Sequence, residues 1–444
     1  MIPRKVVTVM VIVILVVSSI TALSLIEVGD PFGSDRTTVV TTFYPLYFFT
    51  SKIAGDRADV KVLIPDNAEP HSWSATASDL ISVSSADMFV YNGAGFEPWA
   101  TSFLGILPQN AVIVDTSKNV DLVLSEEIAE LFDNATDTMA KGPFTDVVAV
   151  GVDGTAVPSV ALGQGCYNIT LLNNGTAYEG KFSLSVNQMN DFRLFFDSAA
   201  EITLTYENGT AVGLEANLGV IEGYEQFSES LFLELEPGNA IVTVKNCTSG
   251  QLHMTTVVPA SEGGEGEHEH GLNDPHFWLD PVSAIVQVQS ILSGLIKVDP
   301  GNATYYGHNA DDLILKLQKL NDDYFTGLAN RTKNAIITTH EGFNYLALRY
   351  NFTAYAAIGI SADAMPSAND IANLCNLAKS LDLHYVFSEP VFSDTVIRTI
   401  AAETGTQVLV LDGAHGRTGV HAHMDYFQMM YANLEALKIG LEVR

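Results

Sequence analysis

Four side chains could together hold a transition metal: His71, His276, His340 and Asp412. His71 stands in IPDNAEPHSW, beyond the β-branched run Val60–Ile64, and His276 stands in DPHFWLDP, beyond a β-rich stretch. His340 directly follows AIITT, and Asp412 directly follows QVLVL. Loops past the carboxyl ends of parallel strands are where α/β sheets bind ligands. Three imidazoles and one carboxylate form a borderline-soft donor set suited to tetrahedral Zn²⁺. The chemistry is binding and not turnover, because four protein donors leave no position for a catalytic water. HEGFN at His340–Asn344 also has Asn where a zinc-protease motif needs its second histidine. Glu341 could offer a carboxylate after a one-residue shift. His415, His421 and His423 are read as surface or structural residues, and Glu389 in SEP as either a partner of the site or a lobe-interface charge. Phe277 and Trp278 beside His276 are read as core.

These residues need a frame that brings distant loops together. Thr38–Thr42, Val60–Ile64, Asp87–Asn92 and Ala111–Asp115 read as short strands, with helical runs at Leu46–Ile53 and Ala77–Ser84. Such alternation predicts a parallel sheet with crossover helices. From Val147 to Val258 the texture changes to strands at short spacing, among them Lys181–Val186, Glu201–Tyr206, Leu231–Leu235 and Ala240–Lys245. That pattern fits a small β-sandwich. Cys166 and Cys247 both fall inside it and could bridge its edges, whereas Cys375 reads as buried and inert. Asp280-Pro281 and Asp299-Pro300 are helix starts, the second leading into Ala303–Leu328 with apolar residues at Leu313, Ile314, Leu317, Leu320 and Tyr324. Strands resume at Ala335–Thr339, Ala354–Ile358, Tyr385–Ser388 and Gln407–Leu411, and a terminal helix starts at Tyr426.

Composition narrows the function classes. The 444 residues carry 22 basic and 52 acidic side chains, a formal charge of −30, which repels phosphate backbones and excludes nucleic acid as a partner. Only 17% of residues are charged and 47% are hydrophobic, so the chain is globular. Arg4 and Lys5 precede an uncharged stretch, Val6–Ile26, long enough to cross a bilayer as a helix. It is read as a retained membrane anchor in preference to a cleaved signal, whose weak cleavage candidate is SSITALS. Eight N-x-T sequons, at Asn134, Asn168, Asn174, Asn208, Asn246, Asn302, Asn330 and Asn351, agree with an exported chain.

The segments TTFYPLYFFTSKIAGD, VLIPDNAEPHSW, NGAGFEPW, DPHFWLDP, THEGFNYLALRY, GISADAMPSANDI and VFSEPVFSDTVIRTIAAETGTQVLVLDG resemble the zinc/manganese solute-binding proteins of ABC importers. The resemblance covers Thr38–Val120 and Leu272–Gly440, with 205, 64 and 72 residues between successive candidate ligands. It implies an α/β fold of two (βα) lobes with parallel sheets, joined by a long rigid helix. It also implies metal held between His71 and His276 of one lobe and His340 and Asp412 of the other. The expected organisation is an N-terminal anchor or signal (1–35), an N-terminal lobe (36–122 and 271–298), an inserted β-rich domain (123–260), an acidic histidine-bearing loop (261–270), a linker helix (299–329) and a C-terminal lobe (330–444). Relatives that bind manganese place Glu where this chain has His340, so Zn²⁺ is expected over Mn²⁺. Glu265, Glu267, His268, Glu269 and His270 could collect zinc weakly, or form a plain solvated linker. The implied partner is an ABC permease and the implied location extracytoplasmic, with zinc released by a modest tilt or a shift of the Asp412 loop. The competing readings are a surface adhesion protein that uses the β insertion, with zinc structural, and a zinc hydrolase.

Overall fold

A computed structural model describes residues 36–221, 223–258, 272–359 and 366–444. The expected N-terminal anchor and the acidic loop 261–270 lie outside the described residues. The chain divides into two compact units, the first made of the residues up to Asp121 with Pro275–Arg444, the second of Leu122–Asp274.

The first unit opens with β1 (Thr37–Thr41), in which Val39 and Val40 are fully buried. α1 (Tyr44–Ala54) follows, with Pro45 in its first turn, and ends at Gly55, whose φ is +56°. A Cβ at Gly55 would lie 2.2 Å from the Tyr305 hydroxyl, so both the backbone and the space demand glycine. β2 (Ala58–Val62), α2 (Ala77–Ser84), β3 (Met88–Tyr91), the short α3 (Ala100–Leu104) and β4 (Val112–Asp115) complete a parallel sheet of order β2-β1-β3-β4.

After the second unit the chain re-enters through α4 (Pro281–Val298). Asp280 caps it by accepting from the backbone N–H groups of Val282 and Ser283, as its Asp-Pro start predicts. α4 lies on the sheet at Gly294, where a Cβ would come within 2.5 Å of Val114 Cγ2 and 2.7 Å of Met88 Cε. A 3₁₀ turn at Pro300–Asn302 then leads into α5 (Ala303–Gly327), which starts at the residue expected for the run Ala303–Leu328. Its 25 residues reach about 37 Å. Tyr306, Ala310, Leu313, Leu317, Leu320 and Tyr324 form its buried stripe. Near one end Asn309 Nδ2 donates to Ile53 O of α1 (2.9 Å); near the other the Tyr324 hydroxyl donates to Met430 O (2.6 Å).

The second lobe comprises β5 (Ala335–His340), α6 (Asn344–Tyr350), β6 (Thr353–Ile358), α7 (Ala368–Ser380), β7 (Tyr385–Ser388), α8 (Thr395–Thr404), β8 (Gln407–Val410) and α9 (Tyr426–Gly440). β5 pairs with β6 and β7 with β8, both parallel. Capping boxes at Ser367/Asp370 and Asp425/Gln428 start α7 and α9. The mixed α/β fold with parallel sheets is the one expected from the alternation of strand and helix signals.

The second unit is a sandwich with a helix on one face. One sheet has the order Ala216–Leu218, Glu229–Leu235, Asn190–Phe196, Gln251–Val257, Gly165–Thr170, Phe144–Val148; the other has Glu201–Tyr206, Gly238–Cys247, Tyr178–Val186, Ser159–Ala161. Leu194, Leu231 and Leu233 face Phe182, Val242 and Val244 in a common core, while Phe195 and Phe232 point the other way. There they meet Ile128, Leu131, Phe132 and Ala135 of the helix Glu126–Lys141. The β-rich reading omits that helix, although its apolar residues fall at i, i+3, i+4 and i+7 after the cap Ser125. Cys166 and Cys247 form no bridge: each is a free thiol, Cys166 on the first sheet, Cys247 on the second. The unit holds 23 acidic and 4 basic residues, so −19 of the −30 charge belongs to the insertion and the lobes are only mildly acidic.

Candidate metal centre

The first unit brings together histidines from several loops, His71 and His340 at the carboxyl ends of its strands. His71 sits in a turn after β2 that Glu69 builds, its carboxylate accepting from His71 N (3.0 Å) and from Ser72 N (2.7 Å) and Oγ (2.8 Å). His276 precedes the 3₁₀ turn Phe277–Leu279. That approach is fixed from below: Asn92 Nδ2 donates to Pro275 O (2.8 Å), and Gln287 Nε2 donates to Asn92 Oδ1 (3.1 Å) and Thr116 Oγ1 (3.0 Å). His340 is the last residue of β5.

The three imidazoles meet at one point. His276 Nε2 is 3.3 Å from His71 Nε2 and 3.1 Å from His340 Nε2. Four nitrogens at zinc-ligand distance from one ion, in tetrahedral array, stand about 3.3–3.4 Å apart. The fourth imidazole is His415, and the ligand atoms of all four residues lie within 4.8 Å of one another.

Asp412, expected in that place, is not in the group. Its Oδ2 is 2.7 Å from His421 Nδ1, its Oδ1 accepts from Ala414 N (2.8 Å), and Asn433 bonds both its N–H and its carbonyl at 2.7 Å. The carboxylate is spent on shaping the loop after β8, in which Ala414 adopts φ +52°, and the loop presents His415 instead. The reading of His415 as surface or structural is corrected likewise, whereas His421 is structural, as read. Both are buried, His415 in the cluster and His421 against Asp412, whereas His423 is exposed. A signal for His415 is present in GAHG. A Cβ at Gly413 would come within 2.5 Å of the His415 ring, and one at Gly416 within 2.2 Å of Asp66 O. Glu341 also stands outside the group and accepts from Asn344 Nδ2 (3.0 Å).

The electrostatics suit a cation. Among the described residues, neither buried ring nitrogen of His415 has a hydrogen-bond partner, a costly state for a polar group unless something coordinates it. Burial pulls His276 and His415 well below the ordinary imidazole range, and the neighbouring imidazoles add to the shift, so both rings stay neutral and able to bind metal. His340 is oriented by Glu389, whose Oε1 accepts from its backbone N (3.0 Å) and its Nδ1 (2.7 Å). With the proton on Nδ1, Nε2 presents a lone pair to the centre. Of the two readings left open for Glu389, the structure shows the partner of the site. Among the described residues its other oxygen is buried and makes no hydrogen bond.

Apolar walls close the site. Phe96 meets the His71 ring edge-on at 4.7 Å, and Phe392 lies 4.5 Å from the His340 ring. Glu97 fixes the Phe96 turn by accepting from Thr42 Oγ1 (2.6 Å), Asn92 N (2.8 Å) and Gly93 N (3.1 Å), and burial raises it to about 7 in spite of those bonds. Trp278, read as core, is buried but also ties the two sides, its Nε1 donating to Gly413 O (2.8 Å). Arg417 grips Asp66 with Nε (3.1 Å) and Nη2 (2.9 Å), and Arg349 grips Asp280 with Nε (2.9 Å) and Nη2 (2.6 Å). Both pairs join the lobes.

Comparison with known proteins gives a consistent picture. The family described as zinc-uptake complex component A, periplasmic, matches residues 39–150 and 215–440. The high-affinity zinc uptake system protein ZnuA of Bacillus subtilis is 27% identical over 423 residues, covering 92% of this chain and 89% of the relative. The zinc-binding protein AdcA of Streptococcus pyogenes is 25% identical over 424 residues, and the match spans 95% of this chain but only 59% of AdcA. Among solved structures, the metal-dependent lipoprotein YcdH of Bacillus subtilis aligns with a TM-score of 0.53 at 25% identity, covering 92% of this chain and all of that one. Residues 151–214, inside the second unit, fall outside the family match.

Proposed function

The chain belongs to the zinc-uptake component A family of solute-binding proteins, and we propose that it captures Zn²⁺ outside the cytoplasm and delivers it to the permease of an ABC importer. The ligands in this reading are His71, His276, His340 and His415. The observation that carries it is the convergence of four imidazoles, with nitrogens 3.1 and 3.3 Å apart and the His415 ring nitrogens buried with no hydrogen bond among the described residues. Four nitrogen donors and no carboxylate favour Zn²⁺ over Mn²⁺, which prefers oxygen ligands. Zinc is the cargo, and four protein ligands leave no open position for a catalytic water. Isothermal titration of Zn²⁺ and Mn²⁺ into the wild type, His340→Ala and His415→Ala tests the reading. Tight zinc binding, weak manganese binding and loss of affinity in both variants are expected. Preference for Mn²⁺, or wild-type affinity in both variants, overturns it.

Zinc leaves a closed cage only if a side of it moves. The loop 412–417 is the candidate side, since it carries His415 and meets the other lobe through the exposed Arg417–Asp66 pair. Stopped-flow release of zinc to a chelator should be faster in Arg417→Ala than in the wild type; an unchanged rate removes the loop from the release step.

A further inference from the structure

The N-x-T sequons are not used by zinc binding, and their placement has a pattern. With 26 asparagines and 34 threonines in 444 residues, about two N-x-T triplets are expected by chance; the chain has eight, and no N-x-S. Six of these asparagines, Asn134, Asn174, Asn208, Asn246, Asn330 and Asn351, are exposed; setting aside Asn174, whose amide is engaged, leaves five. Among the described residues none of the five has its side-chain Nδ2 engaged. The amides of Asn168, Asn174 and Asn302 instead donate to the carboxylates of Asp146, Glu179 and Asp299.

In the first unit the position is one-sided. Asn330 precedes β5 and Asn351 precedes β6, and these strands pair in parallel with Ala335 against Thr353 and His340 against Ile358. The sequons therefore stand at the amino edge of the ladder and the metal cluster at its carboxyl edge, with a strand of roughly 16 Å between them. The Arg331 guanidinium holds the two segments together through Leu328 O (2.9 Å) and Asn351 O. Asn351 ends α6 at φ +57°, a left-handed position that lifts it off the helix. The loops that carry His71, His276 and His415 have no sequon.

We propose that Asn134, Asn208, Asn246, Asn330 and Asn351 carry N-linked oligosaccharides, those of Asn330 and Asn351 placed so that the metal-binding edge of the first unit stays bare. The donor is a sugar chain on a lipid phosphate or diphosphate. Asn Nδ2 forms a bond to the anomeric carbon, the carbon–oxygen bond to phosphate breaks, the phosphate leaves with the electron pair, and a base of the transferase takes the amide proton. The inference rests on the extracytoplasmic location but not on zinc.

The test is mass spectrometry of peptides from the full chain purified from the organism that encodes it, with Thr332→Ala and Thr353→Ala made in that host. Those changes remove each acceptor motif while leaving Asn330 and the left-handed Asn351 in place. Glycan mass on the five peptides is expected, with loss at Asn330 and at Asn351 in the respective variants and zinc affinity changed less than twofold in both. Recovery of Asn330 and Asn351 unmodified overturns the proposal. Protease added to intact cells separates the causes: unmodified asparagines in a protein the protease reaches sink glycosylation alone, and unmodified asparagines in a protein it cannot reach sink the location as well. Zinc affinity falling more than tenfold in either threonine variant removes the separation of the two edges.

Discussion

Substituting the ligands and their neighbours ranks their roles. His415→Ala should weaken zinc binding by more than the roughly 10–100-fold typical of removing a ligand's own hydrogen-bond partner, and Glu389→Ala should fall within that range. Asp412→Asn, which keeps an oxygen for Ala414 N, should cost less than His415→Ala by titration calorimetry; the reverse order restores Asp412 as the ligand. Protonation gives a second measure. His276 and His415 are depressed in the folded protein, so below about pH 6.5 the unfolded chain binds the extra protons. Their contribution to metal-free stability is therefore full above that pH and lost as pH falls. The melting temperature of metal-free His415→Leu should drop less between pH 7 and pH 5 than that of the wild type, as read by calorimetry. Three of the four clustered imidazoles were legible in the sequence because each lies in a loop beyond a β-rich stretch, His340 immediately so. The fourth was not, because strand logic selects the first polar residue after QVLVL. Only the folded loop, with Asn433 and His421 occupying Asp412, brings an imidazole three residues further on into the cluster.

Strands and helices with strong local signals were legible almost to the residue. Tyr385–Ser388 and Ala77–Ser84 match, and Asp280-Pro281 caps α4 as its chemistry requires. The helix Glu126–Lys141 escaped because it lies against a region read by its two-residue alternation, whereas α5 starts at Ala303 as expected, after Asp299 has used its carboxylate on Tyr306 and Asn302. Contacts between elements were not legible at all, since no local pattern records which backbone a loop will touch. Gly416→Ala tests one of them: its Cβ meets the backbone oxygen of Asp66, which cannot rotate away, so a loss of about 1–3 kcal/mol in chemical denaturation and weaker zinc binding are expected. Asp280→Ala removes a helix cap and strands Arg349, and should lower stability by about 1–2 kcal/mol from the cap alone. Arg417→Ala, at a pair exposed on both sides, should cost under about 1 kcal/mol.

At the scale of the molecule, the zinc-binding lobes and the insertion have separate cores. Replacing Leu122–Asp274 with a short linker should leave zinc affinity within about tenfold, and a larger loss would assign the insertion a part in capture. The two ends of that unit are themselves paired: Asp274 N donates to Val123 O (2.9 Å), Ser125 N donates to Leu272 O (3.2 Å), and Leu124 bridges Asn273. That pairing has a kinetic meaning. His276 and α4 are synthesised only after the whole excursion, yet β1 to β4 cannot bury their apolar face without α4. Closing an unstructured loop of that length in place of a tight turn costs about 3 kcal/mol of chain entropy. An insertion that folds first removes the cost, and hands the next segment to a half-built sheet as though only a few residues had intervened. The clasp at the base of the sandwich thus makes closure of the zinc cage cheaper once the insertion has folded.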